Sequence, residues 1–168
     1  MAEATVDDRE GFAAWYAREY PRVAASVALA TRSPDLAEDA TAEAFARALA
    51  NWPKVREMNV PAAWVYRVAV NQVRSVLRRT LLERRWAERH RSEPDVEVAL
   101  PDPALWRAVR TLPDRQRTVI ALRYVLDLPE AEIASALGIS RGTVAATLSA
   151  ARRRLAQLVG PALQENER

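Results

Sequence analysis

The 168-residue sequence predicts an all-α fold of two small helical domains joined by a flexible linker, and three observations carry that expectation. Apolar residues recur at helical spacing along the chain, with no alternating run and no Asn-Gly turn to found a sheet. Only 4 glycines occur, while most of the 10 prolines fall where helices would begin or in the connections between them. The stretch TLLERRWAERHRSEPDVEVALPDP, residues 80–103, starts basic and helix-like, then turns acidic and proline-broken, as a linker between domains does. Extended at about 3.3 Å per residue, it reaches about 80 Å. The expected domains are therefore 8–79 and 104–160, with 80–103 between them.

Each helix follows from local signals. A first helix over 8–30 contains Pro21, a candidate bend, and a second over 34–51 opens on Ser33-Pro34, a cap-like pair with proline at the first helical position. In the second helix Thr41, Phe45, Ala48 and Leu49 form the inward side, while Asp39, Glu43 and Arg47 point outward with Ala46 and Ala50 between them. The segment NWPKVREMNVP, 51–61, is long for a connection between antiparallel helices and carries Lys54, Arg56, Met58 and Asn59. A third helix over 61–79 places Val65, Val68, Ala69, Gln72, Val73 and Val76 on one face. Opposite them stand Arg67, Arg74 and Arg78, flanked by Asn71 and Trp64. Guanidinium groups beside an amide and an indole suit phosphates and stacked bases; a plain solvated face would carry the same row. Helices over 103–111, 114–126, 129–137 and 141–159 complete the chain.

Composition narrows the function. The chain has no cysteine, hence no disulfide, thiol chemistry or cysteine zinc site. The single histidine, His90, has no partner at a useful spacing, and no glycine-rich phosphate loop occurs, so neither an active site, a metal nor a cofactor is expected. No apolar run has the length of a membrane span, and the acidic start MAEATVDDRE is no signal peptide; a soluble cytoplasmic protein without membrane insertion is expected. The net charge of +3 hides alternating blocks: −4 over 1–52, +7 over 53–91, −4 over 92–103 and +4 over 104–168. The basic blocks suit a polyanion and the acidic start another partner; solvated helix faces account for them too.

The stretch LPEAEIASALGISRGTVAATLSAARRRL, 128–155, has the form of a helix-turn-helix. Ile133, Ala134 and Leu137 line one short helix, Gly138 turns the chain, Ile139 fills the corner and Ser140 caps the next helix. There Val144, Leu148, Ala151 and Leu155 recur at inward positions, leaving Gly142, Ala146, Ser149 and Arg153 outward and Arg141, Ala145 and Arg152 on one flank. A capped second helix with an exposed N-terminus, carrying Ser140 to Thr143, fits a major groove. Tight binding with a steep salt dependence would instead point to contacts elsewhere, on Arg115, Arg117 and Arg123 of the helix over 114–126.

Two stretches, DLAEDATAEAFARALANWPKV with AAWVYRVAVNQVRSVLRR and then LWRAVRTLPDRQRTVIALRYVLDLPEAEIASALGISRGTV, resemble in that order the second and fourth conserved regions of the extracytoplasmic-function sigma factors of bacterial RNA polymerase. The resemblance covers about residues 8–160 and implies a dissociable subunit that directs core polymerase to promoters. It implies that Asp39, Glu43 and Arg47 meet the polymerase clamp helices, and that the linker runs through the polymerase interior. Lys54, Arg56, Asn59, Trp64, Arg67, Asn71, Arg74 and Arg78 would take the −10 element. Ser140, Arg141, Gly142, Thr143, Ala146, Ser149, Arg152 and Arg153 would take the −35 element. The implied partners are the core enzyme, through its clamp helices and flap, promoter DNA and an anti-sigma factor; catalysis belongs to the polymerase. The sequence departs from the family where Ala42 replaces a common glutamine and where Val70 precedes Asn71. Ala145, Ala146, Thr147 and Ala150 stand where basic and polar residues are usual, so weak −35 binding is expected. A stand-alone helix-turn-helix regulator, or a sigma-like decoy that only binds an anti-sigma factor, are the competing readings.

Overall fold

The computed structural model describes residues 6–87 and 103–165, and every regular element among them is a helix. The contacts divide the chain into two units, Met1–Val98 and Ala99–Arg168. The first holds α1 (Val6–Thr31), α2 (Pro34–Ala50), α3 (Trp52–Val55) and α4 (Pro61–Ala87); the second holds α5 (Pro103–Arg110), α6 (Asp114–Tyr124), α7 (Glu130–Leu137) and α8 (Arg141–Glu165).

In the first unit α1, α2 and α4 pack on one another around Val23, Val27, Phe45, Val65, Tyr66, Ala69 and Val73. The buried face of α2 is mostly alanine (Ala37, Ala40, Ala44, Ala48), which lets its neighbours approach closely around the single large Phe45. α1 runs without interruption through Pro21, which is exposed, and ends where Arg32 takes a left-handed φ of 56°. Ser33 makes no capping bond with its side chain, so α2 starts on Pro34 alone. α4 continues to Ala87 instead of ending near 79, because TLLERRWA contains good helix formers and no breaker. The remainder of the expected linker, 88–102 with His90, lies outside the described residues.

The burial pattern shifts two helix faces from the sequence reading. On α4 the buried stripe is Ala62, Val65, Tyr66, Ala69, Val70 and Val73, while Val76 is 41% exposed. The stripe is rotated by roughly 60° from the expected one, because α1 and α2 both press on it and select Tyr66 and Val70. Leu49, expected inward on α2, is 47% exposed.

In the second unit α5, α6 and α7 each pack on α8. Val109, Leu112, Val119, Ile120, Leu122, Ile133, Val144, Leu148 and Ala151 form its core. α8 extends to Glu165, past the expected end near 159. No described helix is long and apolar enough to cross a membrane.

Candidate nucleic-acid interface

The connection between α2 and α4 is anchored, which the sequence reading missed. Trp52 and Val55 on the short α3 are buried, and the Trp52 ring lies tilted against Trp15 at 4.9 Å and edge-on to Phe12 at 5.2 Å, both on α1. Asn51 closes α2 by donating its side-chain amide to the Arg47 carbonyl oxygen at 2.9 Å. With its base fixed in this way, the segment presents Lys54, Arg56, Met58 and Asn59 to solvent at the foot of α4. Along α4 itself Arg67, Asn71, Arg74 and Arg78 are all exposed, and Trp64 is half-buried beside them. The structure therefore brings the first set of expected residues onto one helix face and the loop that feeds it.

On α2 the outward residues Asp39, Glu43 and Arg47 are exposed, and Arg47 donates from Nε to Glu43 Oε1 at 2.9 Å. Ala42, Ala46, Ala50 and Leu49 are exposed on the same helix, and Tyr16 of α1, which meets Phe45 edge-on, is 38% exposed. Burial, the neighbouring Tyr16 and the carboxylates of Glu38 and Asp39 push the Tyr20 hydroxyl pKa up, so it stays a neutral donor. A small-residue surface with one aliphatic and one aromatic side chain, rimmed by charges, suits a protein contact.

The second unit contains a helix-turn-helix with regular turn chemistry. Gly138 has φ +64° and closes α7, a conformation strained for any other residue. Ser140 caps α8, its Oγ accepting the Thr143 amide at 3.1 Å and lying 2.8 Å from the Thr143 hydroxyl. Val144, Leu148 and Ala151 are fully buried; Arg141, Gly142, Ala145, Ala146, Ser149, Arg152 and Arg153 are exposed.

The α6 arginines divide into three roles that the sequence could not separate. Arg117 is 1% exposed and donates to the Leu112 carbonyl oxygen at 2.8 Å and to Asp114 Oδ1 at 2.9 Å, so it joins α5 to α6 and is unavailable to DNA. Arg123 pairs with Asp127 at 3.3 Å across the end of α6. Arg115 alone stands exposed near α8. A further contact was not expected: Arg152 donates from Nε to the Tyr124 hydroxyl at 2.8 Å, with its guanidinium 5.8 Å from that ring's centre. Tyr124 thus fixes one arginine of the α8 surface. Among the described residues no cluster of three His, Asp or Glu side chains is placed to hold a metal ion.

Comparison with known proteins gives concordant matches. Residues 10–81 match the family model of sigma-70 region 2, and residues 103–155 match that of sigma-70 region 4. The RNA polymerase sigma-E factor of Streptomyces coelicolor is 33% identical over 122 residues, covering 71% of this chain and 69% of that protein. The extracytoplasmic-function sigma factor SigM of Mycobacterium tuberculosis is 27% identical over 172 aligned positions, covering 95% of this chain and 83% of that one. Among solved structures, the sigma factor RpoE of Bartonella quintana, crystallised with the anti-sigma factor NepR, matches with a TM-score of 0.72 over 90% of this chain and 98% of its own. At 22% identity that likeness speaks to the fold alone.

Proposed function

The chain belongs to the sigma-70 family of RNA polymerase sigma factors, in its extracytoplasmic-function group, and from that membership we propose how its surfaces divide the work. It binds core polymerase and directs initiation at promoters carrying −10 and −35 elements. The observation that carries this reading is the order of matches, region 2 and then region 4, together with an exposed cationic face in the first unit and a capped helix-turn-helix in the second.

The α2 surface of Asp39, Glu43 and Arg47, with Leu49 and the exposed alanines, is the contact for the polymerase clamp helices. Its Glu43–Arg47 pair is exposed and adds little stability, so it can open to a partner at small cost. Arg67, Arg74 and Arg78 hold backbone phosphates of the −10 element, while Asn71, Trp64 and the segment with Lys54, Arg56 and Asn59 meet its bases. The anchoring of Trp52 and Val55 matters here, because a fixed base presents those side chains with less ordering on binding. α8 enters the major groove at the −35 element with Ser140 to Thr143, Ala146, Ser149, Arg152 and Arg153. Residues 8–79 and 104–160 act as separate modules, and 80–103 links them. The protein performs no catalysis of its own, works in the cytoplasm beside the polymerase, and is held in reserve by an anti-sigma factor.

Sigma-free core polymerase tests the reading directly. Promoters are first mapped by sequencing transcript starts after induced expression, and purified protein is then added to core enzyme on those templates. Specific initiation that is lost when either element is scrambled is the expected result. A protein that binds the DNA yet confers no specific start is a stand-alone regulator, and one that binds only an anti-sigma factor is a decoy.

A further inference from the structure

The alanines of α8 are the one feature of the helix-turn-helix that phosphate binding leaves unused. Gly142, Ala146, Thr147 and Ala150 line an open cleft of about 640 Å³ whose other side includes Arg115 and Gln116 from the first turn of α6. Thr147 donates its hydroxyl to the Thr143 carbonyl oxygen at 2.7 Å, so it offers the cleft its γ-methyl and an acceptor oxygen but no free donor. Beyond the Ser140 and Thr143 hydroxyls at its capped end, the α8 wall therefore presents mainly methyl groups, with the Thr147 oxygen as one acceptor.

Charge selects the occupant. Arg115 lines the cleft, Arg141 is exposed at the capped start of α8, and the amide dipoles of that helix are positive at the same end. A duplex polyanion fits this setting better than an apolar peptide does. Within a major groove only thymine carries a methyl group, and its partner adenine presents the N6 amino group beside it. Guanine is read best by a bidentate arginine or lysine, and the α8 side of the cleft has neither.

We infer that the cleft between α6 and α8 reads a thymine of the −35 element through its C5-methyl group, packed against Ala146, Thr147 and Ala150. The inference rests on the assignment of α8 to that element. Specificity at this position thus comes from apolar contact, with affinity supplied elsewhere.

Deoxyuridine isolates the effect, since it keeps every hydrogen-bonding group of thymine and lacks only the methyl. On a mapped promoter, each thymine of the −35 element on either strand is replaced singly by deoxyuridine, and binding by the holoenzyme is measured. The expected result is one position where binding falls about fourfold, the worth of one buried methyl-sized group. That ratio shrinks toward one in the Ala146→Gly holoenzyme and persists in Ala145→Gly, which weakens the same helix off the cleft. If no substitution matters while scrambling the −35 element still abolishes binding, the inference is overturned and the assignment of α8 stands. A −35 element without an A·T pair overturns it equally. If scrambling the element changes nothing, the assignment fails and the inference with it.

Discussion

α4 and α8 are both assigned to DNA, yet they present opposite surfaces to it. α4 exposes Arg67, Arg74 and Arg78 along a single face, with Asn71 among them. α8 exposes Ala145 and Ala146 in its second turn and confines its cations to Arg141 at its start and Arg152 to Arg154 at its middle. On the proposed assignment the arginines of the first surface supply affinity through phosphates, with Asn71 and Trp64 left for bases, while the second would discriminate through shape and methyl contacts and add little affinity. If both assignments hold, one chain separates holding DNA from reading it, and the surface proposed for the polymerase on α2 is what would keep both in place. Tethering then raises the effective concentration of a weak reader at its site.

Substitutions on each helix test this contrast. The largest effect is expected where an arginine is structural. Arg117→Ala removes a buried side chain and the donor that satisfies the Leu112 carbonyl, so the second unit should lose about 3 kcal/mol, a fall in Tm of roughly 15 °C by calorimetry. Arg115→Ala, two residues earlier and exposed, should leave stability within about 0.5 kcal/mol. Next comes the α4 face. Replacing Arg74 and Arg78 together by alanine should slow promoter opening roughly tenfold, taking about 0.7 kcal/mol for each exposed contact. Binding to core polymerase, measured in parallel, should not change, and a loss of core binding large enough to account for the loss of opening would reverse the assignment of α2 and α4.

A smaller and more selective change is expected from adding charge to α8. Ala145→Arg extends the Arg141 and Arg152 flank and should steepen the slope of log affinity against log salt by about 0.9 while leaving any preference for thymine over deoxyuridine intact. Thr147→Arg with Ala150→Arg should steepen it by about 1.8, but these positions line the cleft, so that preference should vanish. The smallest effect belongs to Tyr124→Phe. It keeps the ring beneath Arg152 and removes the hydroxyl that accepts from Nε, so −35 binding should weaken about twofold to threefold with no loss of fold.

Much of this architecture was legible because helical periodicity and turn chemistry are local. The left-handed Gly138, the Ser140 cap and the inward row of Val144, Leu148 and Ala151 all follow from residues within a few positions of one another. What escaped was decided at long range. α3 is too short to show a period, and it exists because Trp52 finds Phe12 and Trp15 some 40 residues away in sequence. The rotation of the α4 stripe onto Val70 and away from Val76, and the exposure of Leu49, depend on which helices press on α4 and α2. Arg117 reads in sequence like Arg115, and only the junction of α5 with α6 makes it internal. The pairing of Tyr124 with Arg152 spans 28 residues and carries no local signal at all. For the site, residue type and helix face could be read from the chain; which of those side chains are already engaged could not.

The division between holding and reading is tested most directly by the salt dependence of the second unit on its own. That unit has its own core, so residues 104–168 can be titrated against a duplex carrying the mapped −35 element over a range of salt concentrations. With Arg117 buried, the cations that the outward side of α8 offers to phosphates are Arg141, Arg152 and Arg153, and the slope should be shallow, about −2 to −3, with weak binding. Tight binding with a slope of about −5 or steeper would contradict the account, because it would place the charge that holds the promoter on the helix assigned to reading it.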